Sequence, residues 1–206
     1  NFDVGALLAL GNQKEDRVGG SITSHIWVGG TRDNPSLGVT GEIAAGTVAG
    51  YPVTDASLDV SLSNHVLTID RLTGKQGDGS FSASGTVDFN GMMDVDATAN
   101  DIALGIFTGL AGIDEPVSGT ASVTAHVGGT AQSPVADVSL SAKNGGVRGG
   151  TFDALAGEIQ VRGSVVRVNQ LTVHKYIGGV DYTVSVHGTL PLHALTADAD
   201  EMLSAA

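Results

Sequence analysis

The chain has 206 residues, of which 41% are hydrophobic and 16% are charged, so it contains enough apolar side chains to exclude a wholly disordered chain. Twenty-two Asp and Glu residues against ten Lys and Arg residues give a net charge of −12, a field that repels nucleic acid. The absence of cysteine excludes disulfides and thiolate metal sites. Thirty glycines and an aromatic content of only 4% indicate a chain that turns often and packs small side chains.

No membrane-spanning segment is expected in this chain. The apolar run at residues 4–10 is far shorter than the roughly 20 residues that a spanning helix needs, and no leader pattern precedes it. Because the chain opens on Asn1 rather than Met and begins directly in a patterned segment, we expect a soluble piece of a longer protein. Any leader or membrane anchor would then lie outside the piece.

An internal repeat is the strongest pattern in the sequence. Residues 25–35 match residues 124–134 at an offset of 99, through a shared Val-Gly-Gly-Thr tract and a closing proline. The offset holds without a gap through Thr73, and then grows to 103 where Gly85 matches Gly188. A register this long indicates a true repeat and predicts a repeat architecture.

The repeat divides the chain into two copies, residues 1–99 and about 100–202, which we expect to form one continuous array. No linker rich in proline or serine separates the copies. The change of offset gives the second copy four extra residues, near residues 174–181. We predict that these extra residues lie in a hairpin loop.

Apolar and polar residues alternate within each copy, which is typical of half-buried β-strands. Leu58, Val60 and Leu62, for example, alternate with serine and aspartate. Short clusters of Gly, Asn, Asp, Arg and Ser separate the runs and provide the positive φ that tight hairpins need. These clusters lie at residues 63–64, 77–79, 90–91, 144–146 and 162–164. The sequence predicts a meander of short antiparallel strands.

One stretch departs from the alternation and predicts a short helix. Within residues 101–110 the apolar residues fall at 102, 103, 106, 107 and 110, behind a candidate cap at Asn100 or Asp101. Residues 4–10 are its counterpart in the first copy. The two internal glycines each cost about 1 kcal/mol relative to alanine.

The order of motifs in the second copy resembles a known family. Residues 129–134 read Gly-Thr-Ala-Gln-Ser-Pro, residues 155–159 read Leu-Ala-Gly-Glu-Ile, and residues 187–190 read His-Gly-Thr-Leu. This order resembles the repeat of the TamB-like and AsmA-like proteins of diderm bacteria, in which Gly-Thr-x-x-x-Pro, Leu-x-Gly-x-Ile and x-Gly-x-Leu mark successive strands. The first copy matches less closely, because Leu58 stands where the second copy has Gly157.

The resemblance implies an all-β fold, an elongated antiparallel meander of tandem repeats curled into an open apolar groove, with a short helix between repeats. It also implies a periplasmic segment of an inner-membrane-anchored protein. Proteins of this family are associated with phospholipid transport between the inner and outer membranes and with outer-membrane protein assembly. A BamA-type barrel would be a partner through other parts of the full protein. On this interpretation the protein is not an enzyme and needs no cofactor.

The groove would shield phospholipid acyl chains with the apolar side of the strands. Small aliphatic side chains leave room for fluid chains, and we expect no discrete polar groups that hold a headgroup in place. The residues predicted to line the groove are Val39, Leu58, Val60, Leu62, Leu67, Ile69, Phe81, Val87, Val123, Val138, Leu140, Ile159, Val161, Val166, Val168, Val184 and Val186.

The main alternative is a non-catalytic spacer of the β-solenoid or adhesin type, whose inward side chains would interlock in a closed, dry core. A carbohydrate-cleaving enzyme stays open as well, because two carboxylates can converge from anywhere in the sequence. No Gly-x-Ser-x-Gly elbow occurs. Trp27 is predicted to anchor the rim of the groove, with lipid contact as the alternative.

The sequence contains only weak signals for metal binding. The six histidines include no i, i+4 pair and no His-Glu-x-x-His motif, so positions on the surface are the expectation. Two Asp-x-Asp pairs, at residues 94–96 and 198–200, are candidate calcium ligands, and a solvated strand face is the simpler interpretation. Residues 77–80, Gly-Asp-Gly-Ser, lack the nonapeptide period of calcium-binding β-rolls and are expected to form a hairpin turn. We therefore predict no metal site.

Overall fold

The computed structural model of the chain describes residues 2–3, 18–31, 34–111 and 116–192. The predicted helix at residues 4–10 and the acidic pair at residues 198–200 lie outside the described residues. Within these described residues, twelve strands and one helix follow one another as β1 (Phe2–Asp3), β2 (Val18–Gly30), β3 (Pro35–Val48), β4 (Tyr51–Ser63), β5 (Val66–Gln76), β6 (Gly79–Asp88), β7 (Met93–Ala103), α1 (Leu104–Ala111), β8 (Val117–Gly129), β9 (Pro134–Val147), β10 (Gly150–Arg162), β11 (Val165–Ile177) and β12 (Val180–Pro191).

The strands form one open antiparallel sheet in which spatial order follows chain order from β1 to β12. The predicted meander is therefore confirmed. Tight turns join the long strands: Ala49 and Gly50 between β3 and β4 both have positive φ, as do Arg148 and Gly149 between β9 and β10. Two-residue turns of this kind match the twist of the strands that they connect.

The repeat is visible in the strand bounds. The strands β2, β3 and β4 recur as β8, β9 and β10 with both ends of each strand displaced by 99 residues. The later hairpins β5–β6 and β11–β12 also share an irregularity in register, after Ile69 in the first and after Val168 in the second. The chain thus builds one sheet from two copies of the same strand sequence.

The four extra residues of the second copy do not form a loop, so that prediction is wrong. The turn between β11 and β12 has only two residues, Gly178 and Gly179, as does the turn between β5 and β6. Each strand of the later hairpin is instead longer by two residues. An even insertion preserves the side-chain alternation on both strands, and the extra backbone groups are paired rather than left to solvent.

Two further predicted boundaries differ from the structure. The helix begins at Leu104 rather than at residue 101, because β7 continues past a bulge at Asp101, where φ is 50°. Residues 144–146 are not a turn but part of β9, and Asn144 adopts a φ of 51° within the strand. The ring of Phe152, on the neighbouring strand, occupies the space that a side chain at Gly145 would need. Here glycine serves packing rather than turning.

One face of the sheet is apolar from β2 to β12. Directly paired residues of antiparallel strands project from the same face. Successive pairings across the eleven long strands give a single unbroken row that contains no polar side chain. The row runs Ile26, Val39, Val60, Ile69, Gly85, Val95, Val127, Ala136, Val161, Val166, Leu190.

The helix α1 covers part of the apolar face. Ile106 of α1 packs with Ala99 and Ile102 of β7 in a buried cluster, to which Tyr51 and Phe81 add partly buried rings. Tyr51 begins β4, three strands away from β7 in the sheet, so the helix and the sheet together enclose space. The sheet is therefore open and curled around its apolar side, as predicted.

Candidate functional site

All seventeen predicted groove residues lie on the apolar face of the sheet. The register places each of them in the row described above or in a parallel row two or more residues away on the same face. Val166 is buried, Val184 and Val186 are exposed, and the other fourteen are half-buried. An apolar face with this degree of exposure is accessible to a ligand.

A cavity of about 400 Å³ occupies the curled part of this face. Seven strands, β2 to β8, and the helix α1 contribute to its walls. Its lining is apolar apart from three hydroxyl side chains, and no charged side chain lines it among the described residues. The lining includes the large apolar side chains of Ile43, Leu72, Phe81, Ile102, Ile106 and Phe107.

Only two of the predicted groove residues, Phe81 and Val123, line this enclosed cavity. The others lie on the more open stretches of the same face. Three lining residues were missed: Ile43 and Val53 lie in the halves of β3 and β4 next to their shared turn, and Ile106 belongs to α1. The apolar spacing at residues 102, 106 and 107 was the sequence signal for this wall, although only the tertiary structure shows what the helix covers.

Trp27 does not lie on the groove side of the sheet, so its predicted place at the groove rim is wrong. It pairs with Gly38, which pairs with Ser61, on the face opposite to Ile26 and Val39. The indole lies over Gly38, where a side chain would collide with it, and about half of Trp27 is exposed. Trp27 thus covers a glycine on the polar face, an arrangement that protects the backbone there.

The polar face carries ion pairs between neighbouring strands. Arg162 donates two hydrogen bonds to the carboxylate of Asp137, at 2.8 and 2.9 Å, and lowers the pKa of Asp137. Asp153, on the apolar side of the register of β10 and β11, accepts a hydrogen bond from the backbone N–H of Tyr176 at 2.6 Å, which lowers the pKa of that carboxyl, with Lys175 contributing less. These pairs link β9 with β10 and β10 with β11.

Asp94, Asp96 and His126 form a cluster on the same polar face, with one ligand atom of each within 4.8 Å of the others. The Nδ1 atom of His126 lies 2.9 Å from Asp96 Oδ1 and 3.9 Å from Asp94 Oδ1. The hydrogen bond to Asp96 raises the pKa of His126, and both carboxylates add to the effect. The three groups are of types that bind divalent cations, but all are exposed and the ion pair explains their geometry.

The two carboxylates of the cluster were noted as a pair in the sequence, whereas His126 was not connected with them. His126 lies opposite Asp96 in the register of β7 and β8. That register depends on where the strands begin after α1, which the spacing of acidic residues does not reveal.

Among the described residues, no helix has both the length and the apolar character that crossing a bilayer requires. No protein-family model, no curated protein and no solved structure matches the chain.

Proposed function

We propose that this chain is a segment of a lipid-transport protein whose apolar groove shields phospholipid acyl chains from water. The observation that supports the proposal most directly is the unbroken apolar row across eleven strands, most of whose side chains are only half-buried. A folded protein rarely leaves so much contiguous apolar surface accessible unless another molecule covers it. The motif order that resembles TamB-like and AsmA-like repeats is a second, independent support.

The energetics of a lipid in water match a surface of this kind. Each buried CH₂ group is worth about 0.8 kcal/mol, so a chain of about sixteen carbons needs on the order of 13 kcal/mol of cover. Eleven strands spaced about 4.8 Å apart extend the apolar face to about 48 Å across the sheet. An acyl chain reaches about 15 Å, half the thickness of a bilayer core, and thus fits within that length.

The side chains on the apolar face favour movement rather than tight binding. Valine, alanine and leucine dominate the rows, and the enclosed cavity offers only hydroxyls as polar groups. On an apolar wall without directional contacts, an acyl chain has a similar binding energy at neighbouring positions along the wall. A lipid would therefore slide along the groove from strand to strand. In this proposal the protein has no catalytic step and no cofactor.

The proposal places the segment in the periplasm of a diderm bacterium, within a bridge between inner and outer membranes. A barrel of the BamA type would bind other parts of the full protein. Localisation by fractionation of cells that carry the full-length protein would test this placement. Recovery in the cytoplasm would contradict it.

The groove is tested by placing charged side chains on its apolar face. Val138 and Ile159 are directly paired on the apolar face, whereas Ser141 and Ala156 are directly paired on the polar face of the same two strands. We expect the Val138→Glu, Ile159→Glu double variant to lose binding of a fluorescent phospholipid, because an acyl chain that covers the two carboxylates would strip them of their hydration. The matched variant Ser141→Glu, Ala156→Glu places two like charges opposite one another in the same way and should bind as the wild type does.

Circular dichroism and thermal unfolding show whether both double variants remain folded. If the Val138→Glu, Ile159→Glu double variant unfolds, Ala97→Phe provides a second test. It fills the enclosed cavity without adding charge and should also weaken lipid binding. Equal binding by wild type and groove variants would contradict the proposal. Native mass spectrometry of the purified wild type that finds no bound lipid, together with absent phospholipid binding, would favour the spacer.

A further inference from the structure

The strand β12 ends the sheet, and within the described residues no strand pairs with its outer edge. Every residue from 180 to 189 is exposed. The equivalent strand of the first copy, β6, has its outer edge covered by β7, which pairs with residues 80–87. The free backbone N–H and C=O groups of a long edge strand can pair with another strand in the same way. The outer edge of β12 is thus equivalent to an edge that this fold covers with a strand elsewhere.

The strand β12 lacks the features that usually prevent pairing at a sheet edge. It contains no lysine or arginine, and its one proline, Pro191, is its last residue. The bulge in this hairpin belongs to β11, where residues 169 and 170 stand opposite a single residue of β12. On its apolar face β12 carries four side chains that favour strands and are 49–61% exposed, namely Val180, Tyr182, Val184 and Val186.

The polar face of β12 carries one acidic and one basic group, placed symmetrically about Val184. Asp181 precedes Val184 by three residues, and His187 follows it by three. In an antiparallel pair of β12 strands with Val184 opposite Val184, Asp181 of each copy therefore lies opposite His187 of the other. A shift of this register in either direction separates the two groups. The positions of Asp181 and His187 thus select a single register.

Both groups can form this contact. The side chain of His187 makes no hydrogen bond or ion pair within the described part of the chain. Asp181 lies 3.0 Å from the Nδ1 atom of His174 in the same chain, and a carboxylate accepts several hydrogen bonds. An imidazole N–H donates to a carboxylate in the neutral and in the protonated form. Two symmetric hydrogen bonds would therefore flank the central Val184 pair.

The remaining direct pairs in this register match in chemical character. One joins an aromatic with a β-branched side chain, one joins two hydroxyls, and one joins valine with glycine. Pairs of the first two kinds stabilise antiparallel sheets. No two like charges lie opposite one another, and no charged side chain lies opposite an apolar one. The pairs are Tyr182–Val186, Thr183–Ser185 and Val180–Gly188.

We propose that the outer edge of β12 is a dimerisation surface whose partner is a second copy of this chain. The two β12 strands pair antiparallel about a two-fold axis at Val184, so that the same surface of each copy forms the interface. The apolar row Leu155, Val173, Val184 then continues into the second copy, and one apolar face spans both sheets. This pairing needs no lipid, so it can fail without affecting the proposed function.

The first test is sedimentation velocity of the full 206-residue chain over a concentration series without lipid. We expect a monomer–dimer equilibrium that shifts to monomer on dilution, because a single pair of strands forms a small interface. A monomer at every concentration up to about 1 mM would overturn the proposal and would assign the edge to other residues of the chain. Growth beyond a dimer would indicate head-to-tail pairing and would overturn the two-fold arrangement.

A cysteine at the centre of the interface tests the register, because the chain has no cysteine of its own. In the dimer, position 184 lies opposite itself with Cβ atoms about 5 Å apart, which a small adjustment brings within reach of a disulfide. We expect Val184→Cys to form a disulfide-linked dimer under mild oxidation.

The matched control is Val180→Cys, at a position of similar exposure on the same strand. In the proposed register, position 180 of one copy lies eight residues along the strand from position 180 of the other, about 27 Å away. Its crosslinking should therefore be at least tenfold slower. Equal crosslinking of the two variants, or none in either, would contradict the register.

The contact between Asp181 and His187 is tested by reversing charges. We expect His187→Asp to weaken dimerisation at least tenfold, because it places carboxylates opposite one another at both ends of the interface. The double variant Asp181→Lys, His187→Asp restores opposite charges and should dimerise within about threefold of the wild type. Circular dichroism shows whether both variants remain folded.

The control for the charge reversal is His65→Asp, which makes the same replacement in the exposed turn between β4 and β5. It should leave dimerisation unchanged. Unchanged dimerisation of His187→Asp, or a double variant that dimerises no better than His187→Asp alone, would overturn the proposed pairing of Asp181 with His187.

Discussion

Phe81 and Val184 occupy equivalent positions in the two copies of the repeat, yet their surroundings differ. Phe81 in β6 is half-buried and packs with Ala99, Ile102 and Ile106. Val184 in β12 is 61% exposed. The strand sequence is alike at the two places, but β7 and α1 cover β6, whereas no described element lies beyond β12. Burial in this protein therefore depends on neighbouring elements rather than on the strand itself.

Coverage of the apolar face has opposite effects on stability and on access for a ligand. In the region covered by α1, the apolar face packs against protein and forms a small buried cluster. Towards β12 the same face remains exposed, with Val184 and Val186 accessible to solvent. A sheet that buried its whole apolar face would gain stability and lose the surface that a lipid could occupy. We therefore expect substitutions in the two regions to differ strongly in their effect on unfolding.

The largest expected effect comes from removing the side chain by which α1 is anchored. Ile106 is 7% exposed and packs against Ala99 and Ile102, so Ile106→Ala should lower the free energy of unfolding by about 2–4 kcal/mol. On the exposed strand, Val184→Ala should lower it by less than about 0.5 kcal/mol. Urea-induced unfolding measures both values. Equal losses would show that the two regions are covered alike and would contradict the comparison.

A smaller effect is expected where α1 meets the β3–β4 turn. Alanine in a helix interior is favoured over glycine by about 1 kcal/mol, but a Cβ atom added at Gly109 would lie only 2.6 Å from the Cβ of Ala49. We expect Gly109→Ala to lower the free energy of unfolding by about 1–2 kcal/mol, because the helix must move away from the turn. Thermal unfolding provides the measurement.

The control for this substitution is the double variant Gly109→Ala, Ala49→Gly. It removes the colliding methyl group and places glycine where φ is 50°, so its stability should equal or exceed that of the wild type. A stabilising Gly109→Ala single variant would show instead that α1 is not held against the turn.

The smallest expected effect concerns pH and the polar face. The pKa of His126 is raised above its ordinary value of 6.5, chiefly by the hydrogen bond to Asp96. Protonation of His126 therefore stabilises the folded state. This stabilisation is fully present below pH 6.5 and is lost as the pH rises through the raised pKa. Asp96→Asn should lower the pKa of His126 towards 6.5, as measured by NMR titration.

Asp181→Asn, which removes a carboxylate from the distant His174 pair, should leave the titration of His126 unchanged. A wild-type His126 that titrates at or below 6.5 would contradict the prediction. Because both partners are exposed, the accompanying change in stability should be small compared with that of Ile106→Ala.

Much of the fold could be predicted from alternation and repetition. The apolar alternation around Leu58 and Val138 placed these residues on one face, since side chains alternate along any strand. The four extra residues were misplaced in a loop, because a sequence offset does not reveal whether a hairpin extends its strands or its turn. Residues 144–146 were misjudged because glycine beside Phe152 serves packing, which local sequence does not distinguish from turning.

The sequence by itself determined the antiparallel meander, the order of the strands and the identity of the apolar face, because hydrophobic period and hairpin turns are local properties of the chain. The tertiary structure alone decided how α1 packs across the sheet and which part of the apolar face it covers. These features join residues that are about 30 to 100 positions apart, and their contacts depend on the curvature of the whole sheet, which no local pattern contains.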